Sequence, residues 1–392
     1  MDFPNRFSNL PAYAFPRLRA LLRGLEPGGV EIPMSIGEPT HPFPDFVKDI
    51  LAENIADFGV YPPNDGAPEL CQSIAGWIKH RYGVAKDPGT EILTLNGTRE
   101  GLFNACLALC PEQKNGKPAR VLIPNPFYQV YAVATAAVAA EPVFLSCPVA
   151  DGFLPNFDTV APDILDQTSI VYLCSPSNPQ GAIATEAYWS KLLTLAEKHD
   201  FRVFADECYS EVYRDTPPPG IMEVAAGIGA DPERVVAFHS LSKRSNLPGL
   251  RSGFVASGPK TIAALKQLRA YAGAPLPLPL QKVAAAVWAD EAHVETSRAL
   301  YQEKYQIADR IFAEVPGYTP PEAGFFLWLP VDDCEAATTE LWVKAGVKVL
   351  PGAYLARTVN GVNPGQNYIR VAMVAPKQDM QRGLTLIRDC IY

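Results

Sequence analysis

Three short apolar runs in the middle of the chain are each followed by a residue that can take part in acid–base or nucleophilic chemistry. These residues are Asn178 after the run at 171–173, Asp206 after the run at 203–205, and Lys243 after the run at 235–238. A lysine amine can act as a nucleophile or carry a proton, and a carboxylate can hold a cation in place. Because ligands of open parallel sheets bind beyond the carboxyl ends of the strands, we expect these side chains to face one crevice.

Each of these residues, taken alone, also has an explanation without function. A single lysine is usually a solvated surface charge, and an aspartate after a strand often caps the next helix. Asn178 precedes Pro179, and asparagine is common in turns of this kind. Only the combination of these residues, in this order, indicates a functional site.

The spacing of the apolar runs predicts a doubly wound α/β domain. Short apolar runs alternate with longer helical patterns, which is typical of βαβ units and of a mainly parallel sheet covered by helices on both faces. The candidate strands are Val121–Ile123, Pro142–Leu145, Ile170–Leu173, Arg202–Ala205, Val235–Phe238 and Gly253–Ala256. Between them, Glu186–His199 has leucines and alanines at helical spacing.

The pattern changes after about residue 290, and this change predicts a second, smaller α+β domain. Its candidate elements are the helix His293–Phe312, the strand Gly324–Leu329, the helix Ala336–Ala345 and the strand Val347–Leu350. A chain of 392 residues exceeds the roughly 250–300 at which one core stops growing. We therefore expect a large domain over residues 37–290, and a small domain made of residues 1–36 together with 291–392.

Composition and charge argue against several classes of protein. The net charge is −8 and no dense run of lysine and arginine is present, so we expect no nucleic-acid partner. No apolar run reaches the roughly 18–20 residues of a membrane span, and the start of the chain lacks a secretion signal, which predicts a cytoplasmic protein. The eight cysteines are scattered without a C-x-x-C pair, so we expect buried thiols and no metal site.

A series of motifs, spread in order over nearly the whole chain, resembles the fold-type I aminotransferases, which use pyridoxal 5'-phosphate. The series is Asn96-Gly97-Thr98, Pro126-Phe127-Tyr128, Asn178-Pro179, Asp206-Glu207-Cys208-Tyr209, Ser240-Leu241-Ser242-Lys243, Arg251 and Arg370. The resemblance implies the fold of that family, with a large domain built on a mainly parallel sheet and a smaller α+β domain. It also implies transfer of an amino group by a ping-pong mechanism.

The resemblance assigns four residues to the aldehyde, the ring nitrogen and the ring hydroxyl of the cofactor. Lys243 matches the lysine that binds the cofactor aldehyde covalently and then moves a proton at the substrate Cα. Asp206 matches the carboxylate that pairs with the ring nitrogen and keeps it protonated. Asn178 and Tyr209 match the two hydrogen-bond partners of the ring hydroxyl oxygen. Lys243, Asp206 and Tyr209 are thus the expected catalytic residues.

The resemblance also implies a cup of hydrogen-bond donors around the cofactor phosphate. Its expected members are Gly97, Thr98 and Arg99 at the start of a helix candidate, Ser240, Ser242 and Arg251 around the lysine, and Tyr61 from a neighbouring subunit. Backbone N–H groups at a helix start and a guanidinium are suited to a phosphate. If Tyr61 reaches across subunits, the site needs a homodimer.

Three more residues are expected at the ring and at the substrate. Tyr128 matches the aromatic residue that stacks on the ring, with Phe127 and Tyr131 as alternatives. Arg370 matches the arginine that binds the substrate α-carboxylate as a bidentate fork. Gly37 resembles the glycine whose backbone closes over that carboxylate, where a Cβ would crowd the ligand. The expected substrate-binding residues are Gly37, Asn178 and Arg370.

Several blocks of sequence resemble the branch of this family that acts on N-succinyl-L,L-diaminopimelate in lysine biosynthesis. These blocks include residues 35–39, 96–100, 125–131 and 239–255. The branch implies 2-oxoglutarate and glutamate as the second substrate pair. The proline-rich segment at 269–279 departs from the branch pattern. For the distal carboxylate of the substrate, the open candidates are Arg17, Arg19 and Arg244.

Other functions remain as alternatives. A carbon–sulfur lyase, or an aminotransferase for another amino acid, would keep the cofactor and change the reaction. A regulatory module that holds pyridoxal phosphate without turnover would need an attached DNA-binding segment. A nicotinamide-dependent oxidoreductase would need a G-x-G-x-x-G motif after a first strand, and the sequence has none there.

Overall fold

The computed structural model describes residues 5–8, 10 and 12–392, in which helices and strands alternate over most of the length. The helices are α1 Ala14–Leu21, α2 Phe46–Glu53, α3 Pro68–Tyr82, α4 Thr98–Leu109, α5 Val130–Ala137, α6 Pro162–Gln167, α7 Glu186–His199, α8 Ile221–Ile228, α9 Leu241–Arg244, α10 Pro259–Ala272, α11 Leu278–Ala289, α12 Ala292–Phe312, α13 Cys334–Ala345 and α14 Lys377–Ile391. The strands are β1 Ile32–Pro33, β2 Ile92–Leu95, β3 Gln113–Lys114, β4 Lys117–Pro118, β5 Arg120–Asn125, β6 Glu141–Ser146, β7 Thr168–Cys174, β8 Arg202–Asp206, β9 Val235–Ser240, β10 Gly253–Ala256, β11 Phe326–Pro330, β12 Val347–Lys348, β13 Leu350–Pro351 and β14 Tyr368–Ala372.

A seven-stranded sheet forms the centre of the larger part of the molecule. Its strand order is β2-β10-β9-β8-β7-β5-β6, and only β10 runs antiparallel to its neighbours. Every residue of β7 and of β9 is buried, which explains why these strands appear in the sequence as unbroken apolar runs. The predicted α/β fold with a mainly parallel sheet is confirmed.

A three-stranded antiparallel sheet in the order β11-β14-β13 forms the centre of the smaller part. Near the start of the chain, β1 pairs in parallel with β12, so that Ile32 lies opposite Val347. This pairing supports the proposed small domain of residues 1–36 and 291–392. The single strand predicted over Val347–Leu350 is wrong, because the chain changes sheets at Val349 and forms two short strands.

The carboxyl ends of three central strands lie side by side and define one edge of the large sheet. Cys174 at the end of β7 lies opposite Asp206 at the end of β8, and Asp206 lies opposite Phe238 on β9. The crevice expected from the sequence is therefore formed at this edge. Among the residues that the structure describes, no helix is long and apolar enough to cross a membrane, and no group of three potential ligands could hold a metal ion.

Candidate active site

A cavity of about 360 Å³ opens at the carboxyl ends of the central strands and is closed on the far side by the smaller part of the molecule. Most of the predicted site residues line it, namely Gly37, Thr98, Arg99, Tyr128, Asn178, Asp206, Tyr209, Ser240, Ser242, Lys243, Arg251 and Arg370. These residues come from distant parts of the sequence. The fold therefore brings them together at one place.

Lys243 is presented by α9, the single helical turn that follows β9. Its ammonium donates a hydrogen bond to the backbone carbonyl of Gly37 and lies 5.2 Å from the centre of the Phe325 ring. Burial of the ammonium lowers the pKa of Lys243 to about 8. A substantial fraction of the amine is therefore neutral, and hence nucleophilic, at mildly alkaline pH.

Asp206 is a buried carboxylate at the end of β8. One oxygen, Oδ2, accepts a hydrogen bond of 2.7 Å from the Tyr131 hydroxyl, and Oδ1 accepts a longer one of 3.4 Å from the Cys208 N–H. Burial raises the pKa of Asp206, while these two donors lower it. The carboxylate is thus held by two donors against the cost of desolvation, and a cationic partner in the cavity would stabilise it further.

Arg370 is buried on β14, with 5% of its surface exposed, and its guanidinium points into the cavity. Nη1 donates to Oδ1 of Asn178 at 2.9 Å and Nη2 donates to the carbonyl of Ser35 at 2.8 Å. The Nε–H is buried and has no hydrogen-bond partner among the described residues. Burial lowers the pKa of Arg370 to about 10. An anion bound here would satisfy the unpaired donor and offset the desolvation of the cation.

A cup of donors lies at the start of α4. Gly97 precedes the helix with φ of +80°, and a Cβ added there would lie 2.1 Å from Nη2 of Arg251. Ser240 and Ser242 line the same end of the cavity, with their hydroxyls 3.0 Å apart. The first N–H groups of a helix have no partner within the helix, so this end is suited to an anion such as a phosphate.

A side chain at Gly37 would collide with a neighbouring residue of the protein itself. A Cβ added at Gly37 would lie 2.3 Å from Cζ of Phe326, so the side chain of a neighbouring residue already fills that space. The glycine carbonyl also accepts the hydrogen bond from Lys243. Phe326 therefore already crowds the position of a Cβ here, and closure of the Gly37 backbone over a substrate carboxylate stays a prediction.

The structure separates the three aromatic candidates for ring stacking. Tyr128 and Phe127 line the cavity, but Phe127 is 3% exposed and its N–H is bonded to the carbonyl of Leu355. Tyr131 lies behind Asp206 and stacks on Tyr172, with 4.5 Å between ring centres. This arrangement leaves Tyr128 as the aromatic residue available on the open side.

Tyr61 and Arg244, which the sequence analysis proposed for the phosphate and for the distal carboxylate, lie away from this cavity in the structure. Tyr61 is 99% exposed and does not line the cavity of its own chain. Arg244 is buried, donating to Glu291 and to the carbonyl of Val287, so its charge is already neutralised and it is wrong as a candidate for the substrate. Arg17 lies over the ring of Tyr354.

Several residues that line the cavity were not predicted from the sequence. Two of them, Tyr13 and Glu38, are polar and come from the segment that precedes the large sheet. Arg99 was predicted only as part of the phosphate cup. Its side chain extends along the cavity wall, where Nε donates to the Tyr128 hydroxyl at 2.6 Å. The sequence offered no signal for this geometry, because the direction of a side chain in a helical first turn depends on what lies opposite.

The residues present fit pyridoxal phosphate on geometric grounds. The cavity combines Lys243, whose pKa is lowered, with Asp206, a buried carboxylate that accepts a hydrogen bond from the Tyr131 phenol. It also contains the donor cup, in which a Cβ at Gly97 would collide with Arg251. These match an aldehyde, a ring nitrogen and a phosphate respectively. The unpaired Nε of Arg370 leaves a position for the carboxylate of an amino acid.

Comparison with known proteins agrees with this site. The family described as aminotransferase class I and II matches residues 30–387 of the chain. An LL-diaminopimelate aminotransferase from Dehalococcoides mccartyi is 31% identical over 99% of this chain and 99% of its own. Solved structures of an aminotransferase from Neisseria meningitidis (TM-score 0.94, 36% identical, 100% of both chains) and of the aminotransferase AspB from Helicobacter pylori (TM-score 0.90, 31% identical, 99% of both chains) share the fold. The chain belongs to the class I and II aminotransferases, which are pyridoxal-phosphate-dependent enzymes.

Proposed function

We propose that this aminotransferase moves an amino group between N-succinyl-L,L-diaminopimelate and 2-oxoglutarate, which becomes glutamate. The observation that carries the proposal is the meeting of Lys243, Asp206 and Arg370 in one cavity. Arg370 keeps one buried N–H unpaired, and this donor suits the α-carboxylate that both amino-acid substrates share. Asn178 and the backbone of Gly37 flank that position.

The catalytic roles follow from what each side chain can do at its position. When bound, pyridoxal phosphate supplies a ring that withdraws electrons from the substrate Cα. Asp206 holds the ring nitrogen in its protonated form, and Asn178 and Tyr209 bind the ring hydroxyl oxygen. Lys243 would hold the cofactor through its amine and, as a free amine, would carry the proton to and from the substrate Cα. Its lowered pKa suits both steps.

The remaining cofactor contacts hold the phosphate and the ring face. Gly97, Thr98 and Arg99 offer backbone N–H groups at the start of α4, and Tyr128 covers the open face of the ring. Ser240, Ser242 and Arg251 would complete the donor set at the same end of the cavity. Together these residues would hold the cofactor in the part of the cavity that Lys243 lines.

The choice of substrate rests on the far end of the cavity. Free diaminopimelate carries a distal ammonium, whereas the succinylated form carries a neutral amide and an additional carboxylate. Arg99 and Glu38 both line the cavity, so the pocket offers a cation for the succinyl carboxylate and an acid for a free ammonium. The relatives named LL-diaminopimelate aminotransferase support the shared carbon skeleton, and the sequence blocks around Lys243 support the succinylated form.

Kinetics with the two donors and 2-oxoglutarate test this choice. We expect kcat/KM for N-succinyl-L,L-diaminopimelate to exceed that for L,L-diaminopimelate by at least about tenfold, the effect of one charged contact. Arg99→Gln should remove most of that preference, because it keeps the backbone of the phosphate cup and removes the cation. It also removes the Nε donor to the Tyr128 hydroxyl, a loss that affects both amino donors and therefore cancels in the ratio of their kcat/KM values. Glu38→Gln is the matched control and should keep the preference. A preference for free diaminopimelate, lost in Glu38→Gln, would contradict the succinylated substrate.

The proposed assembly is a homodimer in which Tyr61 completes the phosphate cup of the neighbouring copy. Tyr61 belongs to an exposed, largely apolar stretch in which Ile55, Phe58 and Val60 are also more than half exposed. Such a patch is unusual on the free surface of a single chain. Its burial against a second copy would bring the Tyr61 hydroxyl to a site that its own chain does not reach.

A further inference from the structure

A second polar cavity lies at the opposite edge of the large sheet, beyond the amino ends of β7, β8 and β9. Its volume is about 440 Å³, and its walls come from the β3–β4 hairpin, the start of β7 and the turns before β8 and β9. Arg202 begins β8 and Asp206 ends it, which places the two about 13 Å apart along the strand. The cavity is therefore separate from the active site, and nothing about it depends on the proposed substrate.

Two of the three cations in this cavity already have hydrogen-bond partners within the protein. Arg234 donates to Glu197 at 2.9 Å and to Asp200 at 2.8 Å. Lys114 donates to three backbone carbonyls, those of Thr168 at 2.5 Å, His199 at 2.6 Å and Asp200 at 2.6 Å. Both side chains thus hold the walls together, and the charge of Arg234 is largely offset by its two carboxylate partners.

The acidic side chains around the cavity are also engaged. Glu233 accepts hydrogen bonds from the backbone N–H groups of Lys260 at 2.9 Å and Thr261 at 2.7 Å, at the start of α10. Asp231 accepts the N–H of Glu233 at 3.0 Å. Each acid therefore has its own donor, and none makes an ion pair with Arg202 among the described residues.

Arg202 and Ser169 are the polar groups left without partners. The Nε of Arg202 and the Oγ of Ser169 are buried and accept or donate no hydrogen bond within the part of the chain that the structure describes. Ser169 is 5% exposed and lines the cavity. Buried polar atoms of folded proteins nearly always have a partner, because an unpaired one carries its desolvation cost uncompensated. Both of these groups can donate.

We propose that this cavity binds a small oxyanion, a carboxylate or a phosphate, through the Arg202 guanidinium and the Ser169 hydroxyl. The guanidinium is a planar fork of donors that matches two oxygens of such a group, and a hydroxyl can donate to a third position or to the same oxygen. The lining holds three cations, Lys114, Arg202 and Arg234, and three carboxylates, Asp200, Asp231 and Glu233, so binding would depend on the two unpaired donors and not on a net positive potential. A cation or a neutral apolar ligand would leave both donors unpaired.

Calorimetric titration of the cofactor-loaded enzyme with inorganic phosphate tests the proposal, since the phosphate cup of the active site is then filled. We expect saturable binding that Arg202→Gln weakens at least about tenfold and that Ser169→Ala weakens measurably. Arg120→Gln is the matched control, because Arg120 begins β5 at the same sheet edge, pairs with Glu141 and lies outside the cavity. Thermal unfolding of each variant verifies that it is folded.

A parallel titration with sodium acetate distinguishes the two ligand sources. Binding of phosphate alone that depends on Arg202 assigns the site to phosphates, whereas Arg202-dependent binding of acetate assigns it to carboxylates. If a folded Arg202→Gln variant binds phosphate as tightly as the wild type does, and likewise binds acetate as tightly, the proposal is overturned. The absence of saturable binding of either probe, with only a water between Ser169 and Arg202 in a crystal structure, would overturn it as well.

Discussion

At the scale of single residues, Tyr131 and Asp206 form a buried pair behind the active-site cavity. The phenol donates to the carboxylate at 2.7 Å, and neither side chain is appreciably exposed. Because burial raises the pKa of Asp206 and the phenol lowers it, the phenol helps to keep the carboxylate ionised. In the proposed site, an ionised Asp206 would hold the cofactor ring nitrogen in its protonated form, so Tyr131 is expected to act as a positioning residue.

Replacement of Tyr131 by phenylalanine tests this role. The variant keeps the ring that stacks on Tyr172 and loses one hydrogen bond to a charged group, worth about 1.5–3 kcal/mol, so we expect kcat to fall about 10- to 100-fold. The cofactor dissociation constant should rise as well. Tyr172→Phe is the control, since its hydroxyl binds the carbonyl of Leu102 instead. Equal losses in the two variants would indicate a packing effect alone.

The pKa of Lys243 predicts how loading of the cofactor depends on pH. Only the neutral amine attacks an aldehyde, and burial has lowered the pKa to about 8, so the loading rate of the apoenzyme should rise with pH around a midpoint near 8 and then level off. Glu38 raises this pKa, so Glu38→Gln should move the midpoint down. The control is the reaction of free cofactor with Nα-acetyl-lysine, which keeps a free side-chain amine, and its rate should rise around a midpoint near 10.4. A protein midpoint close to the control would contradict the buried amine.

Single residues also show where sequence reasoning stops. Lys243, Asp206 and Arg370 could be predicted, because their types and order form a recognisable series. The contact between Tyr131 and Asp206 joins residues that are 75 positions apart, and no local pattern encodes it. Gly37 was predicted because a Cβ would crowd a ligand, and the structure adds Phe326 as a second group that a Cβ would meet, a contact that no local pattern in the sequence indicates.

At the scale of elements, the approach of Arg251 to the start of α4 determines the shape of the phosphate cup. Gly97 has φ of +80°, and a Cβ there would lie 2.1 Å from the Arg251 guanidinium. Gly97→Ala should therefore displace Arg251 and raise the dissociation constant of the cofactor at least about tenfold. Fluorescence titration of the apoenzyme measures this constant.

The matched control for that change is Gly152→Ala. Gly152 also has a positive φ, of +64°, but a Cβ there would meet nothing within 4 Å. Its ψ of +29° places it in the left-handed region, where an alanine costs about 1 kcal/mol. Gly97 has ψ of +159°, a region that essentially only glycine adopts, so Gly152→Ala controls for the positive φ without crowding the cup. We expect slightly lower thermal stability and unchanged cofactor affinity in this variant. Unchanged affinity in Gly97→Ala too would show that Arg251 does not shape the cup.

Elements were predicted well where their residues are uniformly buried or clearly periodic. Glu186–His199 matches α7 and Gly253–Ala256 matches β10, because the apolar spacing there is unbroken. The strand β2 was missed, since a buried run of four residues at Ile92–Leu95 does not differ locally from part of a helix. The antiparallel direction of β10 depends on pairing with distant strands, which no local pattern contains.

At the scale of the whole molecule, the proposed dimer makes each active site depend on two chains. Mixing a Lys243→Ala variant with a Tyr61→Ala variant tests this, because random exchange of subunits forms hybrids that contain one site with both residues intact. We expect each parent to be nearly inactive and an equimolar mixture, after denaturation and refolding together, to regain about a quarter of the wild-type activity. Activity no higher than the average of the parents would place Tyr61 outside the neighbouring site.

The most direct test of the account is a half-reaction followed by the absorbance of the bound cofactor. The purified enzyme is mixed with N-succinyl-L,L-diaminopimelate without any oxo acid, and 2-oxoglutarate is added afterwards. We predict that the amine converts the cofactor to its aminated form and that 2-oxoglutarate restores the original spectrum, with about one glutamate formed per site. A spectrum unmoved by this amine and changed by another amino acid would contradict the proposed substrate. Release of pyruvate without an added oxo acid would contradict amino transfer itself.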